Sequence, residues 1–258
     1  MFFIDSLPLL TPTAVKFAFP AALEFLLPIA CVSCERLLDP GEPGVVCGRC
    51  WARLKSLPHP QCERCGHPTA GQRCRFCALL PPYVRAARSV AWVPGGSAGE
   101  IVHALKYGGW SRAAVGMAER MSRLHWLPDV VEERNALVPV PLAPTRMRER
   151  GYNQSERLAA ALGEIWKLPV WNNVLRRTRG TKSQTELTPE ERKRNVAGAF
   201  EVPPETRQQI RGAHLVIIDD VMTTAATLNA CAASLYQAGA RTISYVTFGR
   251  ARAAGDRL

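Results

Sequence analysis

The chain has 258 residues, 47% hydrophobic and 21% charged, a balance that excludes intrinsic disorder and allows one good-sized folded domain, with or without a small appendage. Its formal charge of +11 is unevenly spread: residues 1–80 carry 8 Lys and Arg against 6 Asp and Glu, leaving 25 against 16 for the remainder. Residues 146–194 alone hold 12 basic and 6 acidic side chains, so a polyanion, a nucleotide or a phosphorylated substrate is the expected partner class, and a solubilising arginine-rich face is the alternative.

The first stretch, MFFIDSLPLLTPTAVKFAFPAALEFLLPIAC, is apolar but lacks a basic leading region, and Pro20, Glu24 and Pro28 interrupt the only run long enough to consider spanning a bilayer. It reads as an apolar, helical extension over residues 1–26, neither signal peptide nor membrane span, and the cytoplasm is the expected compartment.

Residues 27–80 contain eight of the nine cysteines, as four CxxC pairs: Cys31/Cys34, Cys47/Cys50, Cys62/Cys65 and Cys74/Cys77. Each pair sets two thiolates on one tight turn, and two such turns complete a tetrahedral zinc site. Without secretory targeting, disulfides are disfavoured. The pairs can close in sequence or interleave; spacing does not choose. His59 and His67 lie nearby, but eight thiolates suffice for two zinc ions. Neither site has an obvious vacancy for substrate or water, so both read as structural, supplying folding energy to a segment too short to bury a core of its own. Two four-thiolate zinc sites would bring the net charge from +11 to about +7. Cys231, left over, reads as a buried inert thiol.

Pro81 and Pro82 lie in a linker-like stretch and set a boundary near residue 80, with one larger domain over 81–258. The pattern then predicts a strand over 85–93, helices over 99–107 and 111–126, a short buried strand over 135–141, and a helix over 153–167 capped by Asn153 or Ser155. A strand-like 171–177 leads into a polar loop, and 214–249 reads as strand, helix, strand. This alternation implies an α/β fold with a mostly parallel sheet.

Within the last unit, LVIIDDVMTTAATLNACAASL (215–235) runs as a buried strand into Asp219 and Asp220, then through small hydroxyl residues into a helix. In open α/β sheets ligands bind at the carboxyl ends of strands, and two adjacent carboxylates there need a ligand, a cation or solvent to compensate them. Thr223, Thr224 and Thr227, with the N–H groups of the helix start, form a phosphate cradle. Carboxylates for sugar hydroxyls beside a phosphate cradle describe a ribose 5-phosphate site.

This stretch resembles the phosphoribosyl pyrophosphate (PRPP) motif of type I phosphoribosyltransferases. The resemblance implies that Asp219 and Asp220 hold the ribose hydroxyls, that Thr223, Thr224, Ala225, Ala226 and Thr227 wrap the 5-phosphate, and that Val221 and Met222 belong to the same PRPP-binding stretch. Many relatives carry glycine where this chain has Ala225, a residue less tolerant of positive φ. Together with IVHALKYGG, VPVPLAPTRMRERGYNQSERLA, RTRGTKSQTELTPEERKRNVAGAF and the CxxC pairs, the chain resembles the ComF family of competence proteins, including its GntX-like members, from about residue 27 to 249. The family implies a double zinc-ribbon module before a type I phosphoribosyltransferase-like domain, Mg²⁺ with PRPP, and a link to DNA uptake. By analogy, Val140 and Pro141 would lie in the pyrophosphate loop, with Arg146 and Arg150 available to phosphates. Gln184 and Arg192 would belong to a loop closing over the site. Ribosyl transfer to an unnamed acceptor is the leading activity. Single-stranded DNA binding and docking to DNA-uptake or helicase proteins are the competing non-catalytic roles.

Overall fold

The computed structural model describes residues 29–39, 41–69, 74–178 and 198–252. Two cysteine loops of the same design come first. In each, an N–H four residues on returns to the carbonyl of the leading cysteine: Glu35 to Cys31 and Gly66 to Cys62, both at 2.8 Å. Each turn ends in a left-handed residue, Glu35 (φ 60°) and Gly66 (φ 64°). Helix α1 (Gly48–Ala52) closes the first loop, and a 3₁₀ turn (Arg75–Leu79) closes the second.

The sheet follows in the expected alternation: β1 (Val84–Val93), α2 (Ala98–Tyr107), α3 (Ala113–Ser122), α4 (Pro128–Glu133), β2 (Arg134–Pro139), α5 (Pro144–Arg150), α6 (Gln154–Trp166), the two-residue strands β3 (Arg176–Arg177) and β4 (Phe200–Glu201), a 3₁₀ turn (Pro204–Thr206), α7 (Arg207–Ile210), β5 (His214–Met222), α8 (Ala226–Gln237) and β6 (Thr242–Ala251). The four long strands lie in the order β1-β6-β5-β2, all parallel. The expected α/β fold with a parallel sheet and a Cys-rich module is therefore observed. The predicted helix over 111–126 is shorter at both ends. Of the strand-like 171–177 only Arg176 and Arg177 form a strand, antiparallel to Phe200 and Glu201, while the Trp171 N–H donates to the Leu137 carbonyl of β2 at 2.9 Å. The short helices α4, α5 and α7 escaped the sequence pattern because a one- or two-turn helix shows no full apolar period.

Strand alternation gives the sheet two apolar faces. Leu215 and Ile217 of β5 join Val138, Tyr245 and the α8 residues Leu228, Cys231 and Leu235 on one side. Val216 and Ile218 join Leu105 of α2, Met117 of α3, Leu158 of α6 and Phe248 on the other. Cys65, Phe76 and Leu80 bury into the first core, and Cys31, Val46, Cys47 and Cys50 into the second. The two cysteine loops thus straddle β1, the outer strand, one against each face.

They also cover its open edge. The Trp92 N–H donates to the Lys55 carbonyl and the Ala87 N–H to the Arg64 carbonyl, both at 2.8 Å. An exposed parallel edge would offer unpaired backbone to other chains, and these contacts remove it. Buried Arg250 of β6 donates to the Cys65 carbonyl, and Arg88 of β1 donates to the Glu63 carbonyl at 2.7 Å. No helix among the described residues is long and apolar enough to cross a membrane.

The seam between the first loop and α3 is closed by Gly116, where an added Cβ would stand 2.5 Å from Cζ2 of Trp51. Gly116→Val should push Trp51 away and destabilise the chain by about 2 kcal/mol, read as a melting temperature lower by roughly 4–8 °C.

Candidate functional site

The four CxxC pairs resolve into two centres, and the pairing is sequential. The thiols of Cys31, Cys34, Cys47 and Cys50 lie within 4.8 Å of one another, as do those of Cys62, Cys65, Cys74 and Cys77. Cys34 and Cys47 stand 3.7 Å apart, and Cys62–Cys77 and Cys65–Cys74 each 3.3 Å. A tetrahedral zinc with bonds of about 2.3 Å would set its sulfurs about 3.8 Å apart, so both sets fit the ion with little adjustment. The N–H groups of Cys47 and Cys50 point at Cys31 and Cys47 sulfurs respectively, 3.3 and 3.4 Å away. Burial opposes ionisation of Cys47, yet the Cys50 N–H and the neighbouring thiols of Cys50, Cys31 and Cys34 bring it down to about 7. Burial, with the neighbouring Cys62 and Cys74 sulfurs acting in the same direction, pushes Cys77 up to about 11. His67 stacks on Phe76 and His59 is exposed, so neither joins a centre. Within each set the four thiols face one another, and among the described residues no further His, Cys or carboxylate joins them, the arrangement of two structural zinc sites.

The second region is an open cleft of about 420 Å³ at the carboxyl end of the sheet. It gathers Asp219, Asp220 and Val221 from β5, Thr223 and Ala225 from the turn, and Ala226 and Thr227 from the start of α8. The same cleft is lined by Val140 and Pro141 after β2, by Arg146 and Arg150 of α5, and by Lys106 and Tyr107 at the end of α2. Residues spread over more than a hundred positions thus converge there. Met222 and Thr224 do not line it. Met222 is buried in the core, and the buried Thr224 hydroxyl has no hydrogen-bond partner among the described residues. Gln184 and Arg192, like residues 1–28, lie outside the described residues.

The strand alternation turns Asp219 and Asp220 to opposite sides, and each carboxylate is held. Asp219 Oδ1 accepts from the Ser155 hydroxyl and from the Asp220 N–H, both at 2.9 Å. Asp220 Oδ1 accepts from Gln154 Nε2 at 3.3 Å, and Oδ2 pairs with the Lys106 ammonium. Burial raises Asp219, and the neighbouring Asp220 charge raises it further. Burial acts on Asp220 in the same direction, but Lys106 outweighs it and holds that carboxyl below its ordinary range.

Local sequence sets these partners. Asn153 caps α6 by accepting from the Ser155 N–H at 3.0 Å and donates its amide to the Val140 carbonyl at 3.0 Å. The Tyr152 hydroxyl donates to the carbonyl of Leu105, the residue before Lys106. The α6 start is thereby tied to both α2 and the loop after β2, which sets Gln154, Ser155 and Lys106 around one acidic pair. Arg150 is engaged too: it donates to Gln154 Oε1 at 2.8 Å and lies 4.8 Å over the Tyr107 ring. Arg146 pairs with Glu149 on the surface.

Gln154, Ser155 and Arg177, which also lines the cleft, were not singled out by the sequence as site residues. Lys106 and Tyr107 read there equally as a phosphate contact or a surface turn. The only linear signal was the polar run Asn153-Gln154-Ser155 just inside a helix start. Ala225 adopts the left-handed conformation (φ 60°, ψ 9°) at the N-terminus of α8, the strain its position in the motif implied.

A family model described as a double zinc ribbon domain matches residues 22–79. The DNA utilization protein YhgH of Shigella flexneri is 32% identical over 232 residues, covering 84% of this chain and 95% of that protein. Competence protein F of Haemophilus influenzae is 28% identical, covering 86% of this chain and 96% of its own. Competence protein ComFC of Bacillus subtilis is 28% identical over 79% and 82% respectively. Among solved structures, glutamine PRPP amidotransferase from B. subtilis covers 56% of this chain and 30% of its own at 14% identity and a TM-score of 0.38. A purine phosphoribosyltransferase from Pyrococcus horikoshii covers 59% and 92% at 14% identity and a TM-score of 0.30. Both superpositions are too distant to bear on the site.

Two outcomes follow from this geometry. Metal analysis should find about two zinc ions per chain, and Cys65→Ser, which removes a fully buried thiol, should leave about one and make the second loop protease-sensitive. Ala225→Gly should relieve the left-handed strain and stabilise the chain by about 0.5–1 kcal/mol, raising the melting temperature by roughly 2 °C.

Proposed function

This chain belongs to the ComF family of competence and DNA utilization proteins, and from that membership we propose that its cleft binds the Mg²⁺ complex of PRPP in the service of DNA uptake. The observation that carries the reading is convergence. An acidic pair, a hydroxyl-bearing strand-to-helix turn and the loop after β2 meet in one opening at the carboxyl end of a parallel sheet. The ribose 2- and 3-hydroxyls would donate to Asp219 and Asp220. The turn from Thr223 to Thr227 and the first N–H groups of α8 would take the 5-phosphate, with the buried Thr224 hydroxyl available to it after a rotamer change. Val140 and Pro141 would border the diphosphate, and Arg146 could leave its surface partner Glu149 to reach it.

Mg²⁺, when present, would neutralise the diphosphate as a leaving group. The chain's own contribution to transfer would be placement: a fixed diol, a fixed 5-phosphate, and negative carboxylates near a ribose carbon that becomes cationic. We assign the acceptor no identity.

A second reading, a non-catalytic factor that holds single-stranded DNA, draws on one observation. Tyr107 is 59% exposed at the cleft mouth and carries the Arg150 guanidinium over its ring, and Trp110, three residues on in the chain, is 38% exposed. Aromatic faces beside cations suit stacked bases and steeply salt-dependent binding.

Calorimetry with PRPP and Mg²⁺ separates the readings. The wild-type chain should bind PRPP, and Asp220→Asn, with its zinc content intact, should weaken binding at least about 100-fold, because it removes a charged acceptor from a buried site. Absence of PRPP binding, with salt-sensitive binding to single strands, would leave the second reading in its place.

A further inference from the structure

The acidic pair already has a cation. Lys106 Nζ sits against Asp220 Oδ2, with the lysine side chain 24% exposed and the aspartate side chain 4% exposed. Asp220 is the one polar partner of Lys106 among the described residues. Three of the four carboxylate oxygens of the pair are committed: Asp219 Oδ1 to Ser155 and the Asp220 N–H, Asp220 Oδ1 to Gln154, and Asp220 Oδ2 to Lys106. Gln154 is held in turn by Arg150. Arg150, Gln154, Asp220 and Lys106 thus form one linked chain with a cation at each end, and all four line the cleft.

Two adjacent carboxylates at the mouth of a cleft would ordinarily attract a divalent cation. Here Mg²⁺ or Mn²⁺ would have to displace the ammonium or sit beside it, against like-charge repulsion in a water-poor site. An ammonium differs from a metal in a way that matters to a sugar. It neutralises charge while taking one lone pair of Asp220 Oδ2, which leaves Asp219 Oδ2 and the second lone pairs of the committed oxygens for a diol, and its two remaining N–H directions stay available to ligand oxygens.

We infer that Lys106 is a resident counter-cation of Asp219 and Asp220, which keeps divalent metal off the pair and leaves the pair as a hydroxyl acceptor. Lys106 is a positioning residue in this role. Its consequence for ligand choice rests on the ribose-phosphate reading above: metal enters the cleft on the diphosphate of the ligand, and a ribose 5-phosphate lacking a diphosphate binds without metal.

The test uses the full-length, zinc-loaded chain and Mn²⁺ as a paramagnetic probe, followed by water-proton relaxation. The wild-type chain should show no Mn²⁺ site that depends on Asp220. Lys106→Met should gain one at least about tenfold tighter than any wild-type site, and Lys106→Met with Asp220→Asn should lose it. In thermal melts Lys106→Met should fall by several degrees and recover with millimolar Mn²⁺, whereas the wild type should not respond. Lys106→Arg, which keeps the charge, should behave as wild type. Lys106→Gln, closer in length and polarity, supplies the same comparison should the methionine variant fail to fold. A wild-type Mn²⁺ site abolished by Asp220→Asn would overturn the inference, as would a folded lysine variant with no gain in Mn²⁺ affinity. PRPP titration of the same samples reports separately on the ribose-phosphate reading: its failure leaves the Mn²⁺ comparison intact, and the reverse also holds.

Discussion

Burial of Asp220 against Lys106 is the constraint around which the cleft is organised. A carboxylate with so little solvent contact at the end of a parallel strand is costly unless charge and hydrogen bonds compensate it. Compensation comes from other elements, because the strand N–H aimed at the acidic pair, that of Asp220, goes to the Asp219 carboxylate instead. It comes from the last turn of α2 and the first turn of α6, and those two helix ends are joined through Tyr152 and the Leu105 carbonyl. Anything that shifts α2 relative to α6 would therefore break the charge balance at β5. The Asn153 contact to Val140 extends the same linkage to the loop after β2. The cleft is the shared boundary of elements that hold one another in place.

The cysteine loops serve the same sheet from its other side. A four-stranded parallel sheet has two edges, and here the loops cover the β1 edge and contribute apolar residues to both faces. Their thiol clusters fit zinc, and zinc gives short loops a rigidity that their few apolar side chains could not supply. Arg250 shows how closely metal centre and sheet are joined. It is fully buried at the end of β6, donates to the Cys65 carbonyl and stacks 4.6 Å over Phe76. Burial lowers its pKa, and the Cys65 and Cys74 thiols oppose that shift. A buried guanidinium beside a four-thiolate centre balances the negative charge that such a centre carries when metal-bound. The second loop and the last strand are consequently one electrostatic unit.

The sequence by itself determined what is contiguous or periodic. The CxxC spacing fixed the ligand set, strand and helix periodicity fixed the alternating order of the main elements, and the run from Leu215 to Thr227 marked a strand-to-turn-to-helix site with its acids and hydroxyls in line. Even the strain at Ala225 was legible, because a motif that favours glycine names its own conformation. Tertiary structure decided what depends on distance through space. Sequential rather than interleaved closing of the CxxC pairs follows from how each loop lies against one face of the sheet, which spacing does not encode. Lys106, more than a hundred residues from Asp220, reads in the chain equally as a phosphate contact or a surface turn, Ser155 reads as a candidate helix cap, and Gln154 carries no signal of its own. Local patterns register which face of an element is apolar, whereas a buried charge is matched only where the packed helix ends bring a partner to it.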